Sequence, residues 1–297
     1  MKNYLFVFLV CITSVSRTQV ITQGIKGVGY IYKDRPVMVQ ASDVQEFDDE
    51  LMEIYKTYWP YSQATLQYDE DWKASGMDSA YNYFGTYTIV DKIYNNVLGQ
   101  TTQREFYAYL AGTSGIHDPS YSSIFTYMPL NVGMPDLYAD ADYQLLTIKY
   151  FLASTVGVIE FVGKNKMNVH GASTSVRKAM NKYNAENAYK VKDKTLLVLE
   201  NYLYPVGGSK KSYITEEDLK KYPFPYKVVS LDEFIAIDKT NDPAYCFMDF
   251  IANDTGYMFI FDVANKRALF LEGLGYPGKY YTSWFFTHLR SKVEEHK

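Results

Sequence analysis

The chain has 297 residues, 47% hydrophobic and 22% charged, with a formal net charge of −4. That length predicts about two domains and a core large enough to stand without disulfide staples. The acidic balance excludes a general nucleic-acid binder. The unusual quantity is aromatic content, 17% of the chain with 30 tyrosines.

Residues 1–18 read as an export signal. Lys2 supplies a positive start, Tyr4 to Ile12 an apolar stretch, and Ser14 and Ser16, or Ser16 and Thr18, the small residues of a cleavage site. The apolar stretch is too short to span a bilayer. Cys11 lies inside it behind Phe8 and Val10, the wrong setting for lipidation. With the signal removed Cys246 is the remaining cysteine, in the strand-like run Ala244 to Phe250, so it reads as a buried, inert thiol.

A first α/β unit is expected over 19–162. Gly24, Gly27 and Gly29 lead into a strand from Pro36 to Gln40. Ser42 or Asp43 caps a helix running to about Tyr58, with Phe47, Leu51, Ile54 and Tyr55 on one face. After Pro60 comes a strand from Tyr61 to Tyr68. Asp69-Glu70-Asp71 opens a short helix near Trp72. Ala80 to Val90 reads as strand, and Phe106 to Leu110 with Ser122 to Met128 as an antiparallel pair. Asp142 caps a helix beginning at Tyr143. Leu145 to Val162 suits a buried helix, although Val156 to Phe161 alone also fits a strand. Lys149 and Glu160 bracket ten uncharged residues, too few for a transmembrane segment.

Residues 163–190 form a basic linker or helix; 163–194 carries eight basic and two acidic residues, and Ser175 to Ala188 is a candidate surface helix. It reads as a solvated bridge, with contact to an anionic surface as the alternative. A second unit is expected over 191–297. It holds a strand from Leu196 to Glu200 and a helix opened by Thr215-Glu216-Glu217-Asp218. A strand from Tyr226 to Ser230, a helix from Leu231 to Lys239 and a strand from Ala244 to Phe250 follow. A hairpin across Ala264-Asn265-Lys266 and a helix from Tyr280 to Glu295 complete it.

The two halves echo one another. Trp59-Pro60-Tyr61 pairs with Phe224-Pro225-Tyr226, Asp78 to Tyr81 with Asp242 to Tyr245, and Lys33 to Val39 with Lys192 to Val198. The expected fold is therefore α/β (α+β): two tandem, divergent β-α-β-α-β-β-β-α units, each a mixed sheet flanked by helices. The element order resembles thioredoxin-like folds in topology alone. The chain has no Cys-x-x-Cys, so the likeness implies no redox chemistry. Through Lys194 to Leu197, Thr215 to Tyr226 and Val229 to Phe234, the second half resembles uncharacterised exported bacterial α/β proteins. That resemblance implies export and no activity.

Chemistry is sparse. Ser114, His117 and Asp118 sit in a glycine-bounded loop that the second half largely lacks, and they are the residue types of a nucleophilic site. Their spacing is not the Gly-x-Ser-x-Gly of a nucleophile elbow, and adjacent His and Asp rarely face each other. They stand as a fallback for catalysis. His170, His288 and His296 read as solvated, rimming a packed face, and frayed. Asp136, Asp140 and Asp142 lack the EF-hand pattern and read as helix capping. No metal site and no cofactor is expected. The duplicated Pro-aromatic motif reads as core packing, and the tyrosines fill amphipathic strands or form a platform for a glycan or peptide. The expected function is an exported, non-catalytic binding or scaffolding protein, periplasmic or extracellular, with a glycan or protein partner. The alternatives are a hydrolase using the Ser114/His117/Asp118 loop and an intracellular structural protein.

Overall fold

The computed structural model describes residues 35–42, 44–68, 80–95, 100–112, 124–129, 137, 139–165, 167, 173–203, 214–252, 256–275 and 281–294. Within them the chain is an α/β protein with two mixed, five-stranded sheets. The export signal and the short helix expected near Trp72 lie outside the described residues.

The first sheet contains β1 (Val37–Gln40), β2 (Ala64–Gln67), β3 (Asn82–Asn95), β4 (Gln100–Gly112) and β5 (Ile124–Pro129), in the order β2-β1-β3-β4-β5. β1 runs parallel to β2 and β3, and β4 and β5 follow antiparallel. Alternation sorts its faces: Val37, Val39 and Phe84 join the main core, while Met38 packs on Tyr83 on the opposite face. Helix α1 (Gln45–Tyr58) covers the core face, with Tyr55 and Trp59 edge-on to the Phe84 ring at 5.4 and 5.1 Å.

The second sheet contains β6 (Thr195–Leu199), β7 (Tyr226–Val229), β8 (Tyr245–Ala252), β9 (Gly256–Asp262) and β10 (Ala268–Gly275), in the order β10-β9-β8-β6-β7. β6 is parallel to β7 and β8, and β9 and β10 are antiparallel to their neighbours. Helices α4 (Glu216–Leu219), α5 (Leu231–Thr240) and α6 (Tyr281–Glu294) fall at the expected places. Their signals are local: the Thr215–Asp218 capping box opens α4, the Ser230 hydroxyl accepts from the Glu233 N–H at 3.2 Å, and Asn241 ends α5 at φ 52°.

Between the sheets runs α2 (Ala141–Lys164). This is one continuous helix, so the strand alternative for Val156 to Phe161 is wrong. It is apolar nearly all round because it is packed nearly all round, against α1 on one side and the second sheet on the other. By length and composition it is long enough to cross a membrane, but almost all of that stretch is buried inside the protein. Tyr150 lies 5.0 Å from the Phe261 ring and 5.7 Å from the Phe247 ring. Through such contacts one continuous apolar core reaches from Val37 to Val293.

Three local expectations are corrected. Asp140, not Asp142, caps α2: its carboxylate accepts from the Tyr143 N–H at 2.9 Å, leaving Asp142 in the first turn. Ser42 does not cap α1. Val44 holds that position with no side-chain bond, and Ser42 instead donates through N–H and hydroxyl to Asp48, both at 2.8 Å. Finally, Val37 pairs with Ala64 whereas its counterpart Leu196 pairs with Tyr226. The match of Pro60 with Pro225 is therefore three residues out of step with the sheets, and Tyr61 precedes its strand.

Within 163–190 lies α3 (Ser173–Asn187), which is not simply a surface helix. Ala179, Met180, Tyr183 and Asn184 are buried, and the helix lies on β10. β10 is an edge strand, and its outward groups are met by side chains in place of a further strand. The Ala268 N–H donates to Ser154 Oγ at 2.9 Å, and its carbonyl accepts from the Tyr183 hydroxyl at 2.7 Å. Asn184 brackets Leu271, donating to its carbonyl at 2.9 Å and accepting from its N–H at 3.1 Å. This closes an edge that would otherwise recruit another chain.

Candidate functional site

Where α1, α2 and α5 converge they leave a groove of about 520 Å³. Helical spacing aims side chains from all three into it. α1 contributes Asp49, Glu50, Glu53, Ile54, Thr57 and Tyr58; α2 contributes Asp142, Leu145, Leu146 and Lys149; α5 contributes Ile235, Asp238 and Lys239. The floor is aliphatic and the rim mostly acidic.

At the inner end sits a charge cluster. Asp238, in the last turn of α5, accepts from Lys149 Nζ at 2.5 Å, from Lys266 Nζ at 2.8 Å and from the Tyr150 hydroxyl at 2.8 Å. Lys266 comes from the β9–β10 hairpin. Its side chain is 1% exposed, and it also donates to the carbonyls of Asp238 at 2.8 Å and Val263 at 2.5 Å. Its backbone is left-handed at φ 60°, a conformation disfavoured for lysine. The turn is thereby used to carry an ammonium inward to the carbonyl end of α5, where the helix dipole favours a cation.

Protonation follows from this packing. Burial pushes the Asp238 carboxyl up, but Lys149 and Lys266 outweigh it and hold the group below the ordinary carboxylate range. Burial lowers Lys266, and Asp238 opposes that only in part. Burial, reinforced by Asp238, holds Tyr150 well above an ordinary phenol, and the half-buried Tyr58 is raised by the same causes. The lysine with the depressed amine is sealed from the groove, so it offers no nucleophile to a ligand there. Among the described residues lining the groove there is no serine, cysteine or histidine.

A second buried carboxyl, Asp249 on β8, accepts from the hydroxyls of Tyr143 at 2.8 Å and Tyr202 at 2.9 Å. It ties α2 to the second sheet. Seven tyrosines among the described residues (55, 83, 143, 150, 183, 202 and 222) are buried; Tyr83 lies on a strand and the other six on helices or beside them, not on the amphipathic strands expected of them.

Comparison with family models, with curated proteins and with solved structures finds no match. The likeness of element order to thioredoxin-like folds thus gains no counterpart, and function rests on the site alone.

The candidates singled out from sequence fall elsewhere. Ser114, His117 and Asp118 lie outside the described residues, as do Asp136, His170 and His296. Asp140 caps α2 and Asp142 lines the groove rim. Among the described residues no His, Cys, Asp and Glu side chains gather as a metal site. Cys246 is buried, and burial pushes its thiol up to about 12, the inert state expected of it. His288 packs 6.0 Å from the Phe270 ring. Trp59 is buried and its indole donates to Ser62 at 3.1 Å, as a packing residue does.

Sequence reasoning names Ile54, Tyr58, Asp142 and Lys149 in other roles and does not bring them together as a groove. The available signal was a charge inside an apolar helix: Lys149 and Asp238 each interrupt a hydrophobic face, and a buried charge requires a partner.

Proposed function

We propose that the chain is an exported, non-catalytic binding or scaffolding protein made of two divergent copies of one α/β unit, and that the groove among α1, α2 and α5 holds its ligand. The observation that carries this reading is the groove itself: an aliphatic floor with a polar rim, contributed by helices from both halves. Duplication is supported by the sheets. Each has the order second, first, third, fourth, fifth, with three parallel strands and two antiparallel ones. Val37 pairs with Asn82 and Leu196 with Cys246, as the matching segments Lys33 to Val39 and Lys192 to Val198 require. A protein ligand is favoured over a glycan, because Tyr58 is the one aromatic side chain among the described residues lining the groove.

The test is a thermal-shift series with short peptides and oligosaccharides on the wild type and on Thr57→Trp, which fills the groove from an exposed helix position. The reading expects a ligand that raises the wild-type Tm and leaves the variant unmoved. Ligands that stabilise both equally place binding elsewhere and defeat it. Export is checked separately by sequencing the N-terminus of the chain recovered outside the cytoplasm, expected near residue 19.

A further inference from the structure

We infer that the groove takes a cationic, aliphatic segment of a partner protein, one carrying Lys or Arg between Leu-like side chains; this rests on the groove being the binding site. Asp49, Glu50 and Glu53 run along one wall on α1, and Asp142 stands on α2. All four are exposed. Glu53 is paired with Lys56 at 3.1 Å, Lys149 is engaged by Asp238 at 2.5 Å, and Lys239 on α5 is an exposed cation, so the lining sets five carboxylates against two lysines and stays net negative. The carboxylates are spread along the walls and do not converge on a point. Among the described residues no three acidic, His or Cys side chains are grouped to share a metal ion. A row of separated negative charges suits several cations on one chain better than a single ion.

Between the walls lie Leu146 and Ile235, which demand apolar partners. The α1 wall from Asp49 to Tyr58 is about 13 Å long at 1.5 Å per residue, room for roughly two helical turns or four extended residues. Alternating cationic and aliphatic side chains satisfy both the rim and the floor, the pattern of groove-bound segments generally.

The experiment is fluorescence anisotropy with a dye-labelled KLLKLLK peptide, beside ELLELLE and SLLSLLS peptides and a neutral oligosaccharide. KLLKLLK is expected to bind, and to weaken about ten-fold from low to physiological salt, since rim charges are screened. Glu50→Lys with Asp142→Lys is expected to cost about ten-fold or more, by reversing two rim charges. Thr57→Trp leaves the charge untouched and is expected to cost as much by filling the space. Thermal melts confirm that each variant is folded. If KLLKLLK binds equally to Thr57→Trp, its binding is general attraction to an acidic protein and the inference is overturned. If instead a neutral or acidic probe binds in a manner that Thr57→Trp blocks, the cationic partner is wrong while the groove stands. If no probe binds, both fail.

Discussion

Removing the Asp238 carboxylate tests the architecture around the groove most sharply. In Asp238→Ala the Lys266 ammonium, 1% exposed, keeps two carbonyl acceptors but loses its counter-charge. The Tyr150 hydroxyl loses its acceptor. Lys149, 19% exposed, can turn to solvent and adds little. Breaking a buried ion pair from one side costs about 3–5 kcal/mol. For a chain of this size that lowers Tm by roughly 5–8 °C. Lys266→Met in the same background removes the orphaned charge without altering the backbone requirement at φ 60°, which Met meets no better or worse than Lys. The double variant is then expected to recover part of the loss, leaving about 2–4 kcal/mol for the orphaned Tyr150 hydroxyl and the Val263 carbonyl that Lys266 served. Urea titration of the wild type and the two variants at pH 7 measures both values. The sign with pH follows from the lowered Asp238 pKa. Its contribution is present above the unfolded carboxylate range and is lost as pH falls through the folded value. A single variant within about 1 kcal/mol of wild type, or a double variant no better than the single, would refute the reasoning.

Three further outcomes are expected. Tyr143→Phe and Tyr202→Phe each remove one hydrogen bond to Asp249 and should each cost about 1–3 kcal/mol, with the double variant non-additive because the carboxyl is shared; a double-mutant cycle in urea reads this. Asn184→Leu strips both backbone groups of Leu271 at the β10 edge and should cost about 2–4 kcal/mol and raise the tendency to self-associate, seen by denaturation and light scattering. Stability should fall as pH rises above about 9: burial raises the Cys246 thiol to about 12 and lifts the Tyr150, Tyr183 and Tyr222 hydroxyls, so each favours the fold below its unfolded pKa and ceases to as pH passes its folded one. Lys266, lowered by burial, acts in the opposite sense but is outnumbered. Cys246→Ala should flatten the limb between pH 9 and 12 in urea midpoints.

The second half was readable because its punctuation is local. The Thr215 capping box, Ser230 and the Ala264-Asn265-Lys266 turn are each decided within four residues, and each falls where the sequence places it. The first half misled where two residues compete for one role. Asp140 and Asp142 are both good caps, and only the backbone reveals that Asp140 accepts from the Tyr143 N–H. Ser42 has the chemistry of a cap, yet tertiary context gives its hydroxyl to Asp48. The Pro-aromatic echo is real in sequence but not in register, because strand pairing and not the motif fixes β2 and β7. The groove was invisible for another reason. Its walls lie some 90 residues apart in each step from α1 to α2 to α5, and no periodicity within one helix names its neighbour. Lys149 and Asp238 announce that each needs a partner, and neither announces which.

We propose the groove among α1, α2 and α5 as the place where this protein meets its partner. Methyl NMR of a sample labelled at Ile and Leu, titrated with KLLKLLK, tests it most directly. The account predicts that Ile54, Leu145, Leu146 and Ile235 shift together and saturate at one affinity, with methyls on the far side of the second sheet unmoved. Shifts confined to another surface, or none at any peptide concentration, contradict it.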